Sequence, residues 1–154
     1  MRRVVASLPE TMTELCLVRL GLRVRRLRAL PFALRIGRAI ERSAKEAMAG
    51  DAGLLSSERF LLGRDHLGVL QYWKDFESLD AWSHRPPHSD WWREALGRMR
   101  TKGDFGIYHE TYLVPRSGIE AIALDCPPTG LFAFGATGEA VGPMTTSRDR
   151  LGRR

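Results

Sequence analysis

The chain is predicted to fold as an α+β domain of element order βαββαβ, an antiparallel sheet carrying its helices on one face. Three observations carry this: a two-residue apolar alternation before residue 25, a three- and four-residue recurrence after it, and short segments separated by Gly and Pro breaks. At 154 residues, roughly two-thirds of the unfolded surface can be buried in one core.

Residues 1–12 read as a flexible leader, and 13–135 as the single domain. From Thr13 to Val24 the even positions Cys16, Val18, Leu20, Leu22 and Val24 are apolar, which is the period of a half-buried strand and puts Arg23 on its less apolar face. Pro31 permits a helix start, and Ile36, Ala39, Ile40, Ala44, Ala47 and Met48 repeat at helical spacing until Gly50 and Gly53. Leu54 to Gly63 and His66 to Trp73 are two strands around the turn Gly63-Arg64-Asp65. Asp75 caps a short helix to Trp82, Pro86-Pro87 interrupts, and a second helix runs to about Arg100 before Gly103 ends it. Gly106 to Val114 is the fourth strand, and Ile119 to Leu124 a short fifth. Residues 136–154 read as a basic flexible tail. The order is the ferredoxin-like split βαβ arrangement, whose uncovered sheet face implies a homodimer.

Lys and Arg total 24 against 18 Asp and Glu, and seven arginines fall in the first thirty residues. Clustered positive charge suits an anionic partner, but the chain carries no helix-turn-helix pattern, paired zinc ligands or RNP-type aromatics, so nucleic acid is not expected. Cys16 and Cys126 match no zinc spacing and read as reduced thiols. No apolar run reaches a membrane span, and a cytoplasmic protein without membrane partners is expected.

Aromatics and histidines concentrate between Gln71 and Tyr112, the composition a pocket for an organic substrate needs. His88 shares a helix face with Trp91 and Trp92, and His109 a strand face with Ile107, Thr111 and Leu113, so both point inward. Each has a plain structural role as a hydrogen-bonded core imidazole. Two of them on elements that pack together favour a site, because burying both unsatisfied is costly. His66 reads as a turn residue and His84 as a loop residue; Tyr72 and Trp73 have cross-strand packing, and Arg23 an edge charge, as their plain roles.

Leu20-Gly21-Leu22-Arg23-Val24, Gln71-Tyr72-Trp73 with Phe76-Glu77-Ser78-Leu79, His88 with Trp92, Gly106 to Tyr112 and Pro127-Pro128-Thr129-Gly130-Leu131 together resemble the fumagillin-pathway monooxygenase-like family over residues 13–135. The resemblance implies the dimeric α+β barrel superfamily and points to Arg23, Tyr72, Trp73, His88, Trp92, His109 and Glu110. Tyr108 departs from the family's expected Trp, and residues 119–126 from its tyrosine-richer segment. More locally, Ser83-His84-Arg85-Pro86-Pro87-His88 resembles the Ser-His-Pro-x-His helix of haem-containing aldoxime dehydratases, with one residue inserted.

These resemblances imply a small monooxygenase-like enzyme, without cofactor or metal, in which His88 or His109 is the base and Arg23 stabilises an enolate. Tyr72, Trp73, Trp92 and Glu110 would form the substrate walls. The alternatives are a haem enzyme of the same fold, with His88 or His109 as ligand or distal group, and a non-catalytic dimeric ligand-binding protein.

Overall fold

The computed structural model describes residues 2–142 and 146–152. In chain order the elements are β1 (Arg3–Ser7), β2 (Glu14–Val24), α1 (Leu30–Ala49), β3 (Leu54–Gly63), β4 (His66–Trp73), α2 (Phe76–Ser83), α3 (His88–Lys102), β5 (Phe105–Pro115), β6 (Ala121–Leu124), β7 (Ala136–Glu139) and α4 (Ser147–Arg150). The expected βαββαβ unit is β2 to β5 with its helices, its antiparallel sheet ordered β3-β4-β2-β5.

Register decides what each face of that sheet presents. Cys16, Val18, Leu20, Leu22 and Val24 lie opposite Leu113, Thr111, His109, Ile107 and Phe105 of β5, so all ten share the face that α1 and α3 cover. Leu15, Leu17, Arg19, Gly21 and Arg23 share the other face with Tyr72, His66 and Tyr108. A β-bulge between Leu54 and Ser56 shifts the register of β3, placing Phe60 opposite Gly68.

The helix α1 is anchored by its apolar stripe. Phe32 and Ile36 are buried, each worth roughly 1.5–3 kcal/mol, and Phe32 packs on Phe105 with centroids 4.9 Å apart. The cap of α2 is as expected from sequence: Asp75 accepts from the Ser78 amide at 2.7 Å. One buried cluster joins Ala44, Ala47, Cys16, Val18 and Trp73; a second joins Phe32, Ala33, Ile36, Ala95 and Phe105.

Two expectations about the chain ends are corrected. Within the expected leader, Arg3–Ser7 is a strand, and within the expected tail Ala136–Glu139 is another; they pair as the sheet β6-β1-β7. Leu8, Leu15 and Leu131 are buried beneath this small sheet with Tyr72 and Phe134 packed against them, so one end of the sheet's second face is covered rather than bare. Residues 143–145 and 153–154 of the expected tail lie outside the described residues.

The basic N-terminal region is partly neutralised in place. Arg28 and Arg98 both reach the buried Asp104, at 3.4 and 2.8 Å, and Arg23 pairs with Asp65 at 3.3 Å. No helix among the described residues is long and apolar enough to cross a membrane.

Candidate active site

Where α1 and α3 cross the sheet, the facing side chains are too small to close the space. Gly37 and Ala33 of α1 and Ala95 of α3 oppose Leu20, Leu22 and Val69, and a cavity of about 640 Å³ remains, a volume suited to a small organic molecule. Its mouth is marked by exposed lining residues, Leu34, Arg38, Arg59, Leu61 and Trp92. Its polar lining side chains are Arg38, Arg59 and His88.

His88 opens α3 and is partly buried. Its Nδ1 lies 3.0 Å from the Ser83 carbonyl oxygen, and because a carbonyl only accepts, Nδ1 carries the proton. That leaves Nε2 as a proton acceptor. Burial pushes the His88 pKa below the ordinary histidine value; the Ser83 bond works upward, and the charges of His109 and His84 add to the lowering. His109 stands opposite Leu20 on the helix-covered face, and partial burial lowers its pKa too. The His109 charge therefore reaches His88. By accessible area His109 is exposed and it does not line the cavity, so His88 is the better-shielded base.

The other residues singled out from sequence do not converge on this cavity. Arg23 lies on the opposite sheet face, its side chain 71 % exposed and turned to Asp65, so the expected pairing of Arg23 with His88 across one substrate is corrected. Trp73 is 1 % exposed, a core side chain whose Nε1 donates to Gln71 at 3.2 Å. Tyr72 packs on Phe134 beyond the sheet, centroids 5.5 Å apart. Glu110 is also on the far face, accepting from Arg19 at 3.0 Å and from the Tyr112 hydroxyl at 3.0 Å, and the Arg19 guanidinium holds its carboxyl below the usual range.

Trp92 does reach the cavity, as a mouth residue 42 % exposed, and Trp91 lines it beside His88. His84 is a loop residue beside Asp80, as expected, whereas His66 is more than a turn residue: its Nε2 lies 3.0 Å from the Tyr108 hydroxyl. Arg38 was not foreseen; its place in an arginine-rich helix offered no signal beyond helical phase. Among the described residues no group of His, Cys, Asp and Glu is arranged to hold a metal ion, and Cys16 and Cys126 are free.

The Pro127-Pro128-Thr129-Gly130-Leu131 segment has a structural explanation. Glu58 accepts from Thr129 Oγ1 at 2.6 Å and from the Gly130 amide. Gly130 has φ +54°, and a Cβ there would stand 2.9 Å from the Tyr72 hydroxyl, so only glycine lets the turn sit on Tyr72 unstrained.

Comparison with known proteins places these features in context. The family described as monooxygenase af470-like matches residues 15–131. The chain is 32 % identical over 60 residues to monooxygenase af470 of Aspergillus fumigatus, a match covering 39 % of this chain and 21 % of that protein. It is 33 % identical over 81 residues to the aliphatic aldoxime dehydratase of Rhodococcus globerulus, covering 50 % and 22 %. A crystal structure of an aldoxime dehydratase superposes on 99 % of this chain and 43 % of its own, with TM-score 0.72 and 21 % identity, which shows a shared fold. The chain thus spans less than half of that crystallised chain, and its matched segments about a fifth of each curated relative.

Proposed function

Because the chain belongs to the monooxygenase af470-like family, we propose that it oxidises a small organic metabolite with O2 in the cavity between α1, α3 and the sheet, with His88 as proton acceptor. One observation carries this reading: a single imidazole lines a largely apolar cavity, whose other polar side chains are the guanidinium groups of Arg38 and Arg59, with Nδ1 committed to Ser83 and Nε2 left to accept a proton. A base works best when its pKa lies near the operating pH, and a histidine held below its ordinary value is neutral and ready at pH 7.

The chemistry is cofactor-independent. Nε2 takes a proton from a methylene activated by its neighbours, the carbanion passes electrons to O2, and the sum is R2CH2 + O2 → R2C=O + H2O. The substrate supplies all four electrons. Leu20, Leu22, Val69 and Trp91 keep water from the intermediate, and Trp92 shields the entrance. Oxygen uptake matched by ketone formation, with one 18O atom from O2 in the product, is the expected result on a panel of phenolic and polyene methylene compounds. No uptake across that panel, with ligands still raising the Tm, would leave a binding protein instead.

A second reading is favoured by the 81-residue match to an aldoxime dehydratase. The residues fit a haem: Nε2 of His88 is a suitable ligand or distal base, with His109 as the other candidate, and Arg38 at the mouth suits a propionate. When bound, haem supplies the iron for dehydration or peroxide chemistry, while the apolar walls exclude water. A Soret band on haem titration, lost in His88→Ala, would establish this reading and displace the first.

A homodimer belongs to the same proposal. The far face of the sheet presents Tyr112 and the Arg19–Glu110 pair, and a chain that matches 43 % of a crystallised relative leaves room for a second unit of similar size. Light scattering on the purified protein separates dimer from monomer.

A further inference from the structure

We infer that the cavity's ligand is an amphipathic anion, an apolar body with a carboxylate head, and that Arg38 is the positioning residue that holds the head at the mouth. This rests on the proposal that the cavity is the working site, and it names the class of molecule the site takes.

The cavity is lined by two guanidinium groups and no carboxylate. Arg59 is already committed to Glu41 at 3.1 Å, which also takes Lys45 at 3.4 Å. Arg38 differs: among the described residues it makes no ion pair, hydrogen bond or ring contact. Its neighbour one turn earlier, Arg35, is paired with Glu94 and stands over the Phe32 ring. An unpaired guanidinium at the edge of an apolar space has a rigid fork of donors, and a carboxylate fills that fork with two charge-assisted bonds.

The packing of the helices sets where such a head would sit. Arg28 contacts Lys102 and Arg98 at one end, and Arg35 contacts Glu94 further along, so α1 and α3 run antiparallel. One turn onward from Arg35 is Arg38, and one turn back from Glu94 is Trp91, with His88 beyond it. A head on Arg38 therefore lies level with the first turns of α3, and the body has the apolar wall of Leu20, Ile36 and Val69 to cover. A neutral ligand of the same shape would leave Arg38 without a partner.

The test is calorimetric and thermal-shift titration with octanoate, 1-octanol and methyl octanoate at pH 7.5. Octanoate is expected to bind the native protein about tenfold more tightly than the neutral pair. Arg38→Gln should reduce the acid to the level of the alcohol, and Arg23→Gln, on the other sheet face, should leave the preference intact. Equal binding of acid and alcohol, or a preference that survives Arg38→Gln, overturns the inference while the cavity remains a site. If octanoate binds and Gly37→Phe, which fills the cavity, leaves its titration unchanged, the cavity proposal falls and this inference with it; if none of the three binds, this inference falls and oxygen uptake still decides the cavity. A haem is the other source of a carboxylate: haem and its dimethyl ester, followed by the Soret band, distinguish it. Tighter binding of the free acid, lost in Arg38→Gln, assigns the carboxylate to haem; equal binding of the two overturns the role of Arg38 there.

Discussion

His88 donates from Nδ1 to the Ser83 carbonyl at 3.0 Å, back across the connection between α2 and α3. That bond fixes both the tautomer and the ring, so the base is preorganised before any substrate arrives. His88→Ala should lower kcat by about 10²- to 10⁴-fold, the usual share of a positioned base, with the circular dichroism spectrum unchanged. His109→Ala should cost less, since His109 does not line the cavity. Equal losses from the two variants would move the base to the pair.

The pH dependence follows from the direction of the His88 shift. Burial holds its folded pKa below the ordinary value, so the active neutral form persists through neutral pH and the acid limb of kcat/KM falls below about pH 6.5. For stability the sign is the same. The unfolded state binds the proton more readily, so stability is full above the unfolded pKa and is lost as pH falls from there through the folded pKa. His88→Gln should flatten the decline in Tm between pH 7 and pH 5, read by thermal melts across that range.

The βαββαβ unit was legible because its periods are strong. Alternation in β2 sorted Leu20 from Arg19 and Arg23, and helical spacing in α1 found Ile36 and Ala39 on one side. The same alternation had placed Arg23 away from the helices; only the family resemblance carried it into the site, and the structure sides with the alternation. Of the small sheet only β6 was legible, as the short strand expected within Ile119 to Leu124. All four residues of β7 are exposed and its support is backbone pairing with β1, which leaves no apolar pattern to read. Arg38 was hidden for a related reason: helical phase shows where a side chain faces, not whether a carboxylate has already taken it.

The turn over Tyr72 gives a test of this chain's Pro-Pro-Thr-Gly segment. Gly130→Ala introduces a Cβ at φ +54° that meets the Tyr72 hydroxyl at 2.9 Å, and a loss of about 1–2 kcal/mol is expected from backbone strain alone. Tyr72→Phe removes the oxygen but not the strain. The double variant should therefore recover only part of the loss, measured by urea unfolding. Full recovery would mean that the contact, and not the backbone, makes glycine necessary.

The two thiols should differ sharply in reactivity. Burial, with the charges of Asp75, Glu14 and Glu77 adding to it, pushes the Cys16 thiol up to about 11, and its side chain is fully buried, whereas Cys126 is exposed. Since the thiolate is the nucleophile, a disulfide reagent at pH 8 should label one equivalent promptly and the second only on unfolding. Prompt labelling of both would show that β2 and β4 open locally around Trp73.

Gly37 combines a stability prediction with a functional one. It sits inside α1, lines the cavity, and a Cβ placed there meets nothing within 4 Å. Gly37→Ala should therefore stabilise the protein by about 0.5–1 kcal/mol through helix propensity and a less flexible unfolded chain. Because the methyl enters open space, turnover should persist. Gly37→Phe sends a ring into the same space and should keep the fold while displacing ligand, so stability and binding move apart in one series at one position. Thermal melts paired with ligand titration read both effects. If Gly37→Ala destabilises, the helix is bent or contacted there in solution; if Gly37→Phe binds ligand as tightly as the native protein, the ligand lies elsewhere.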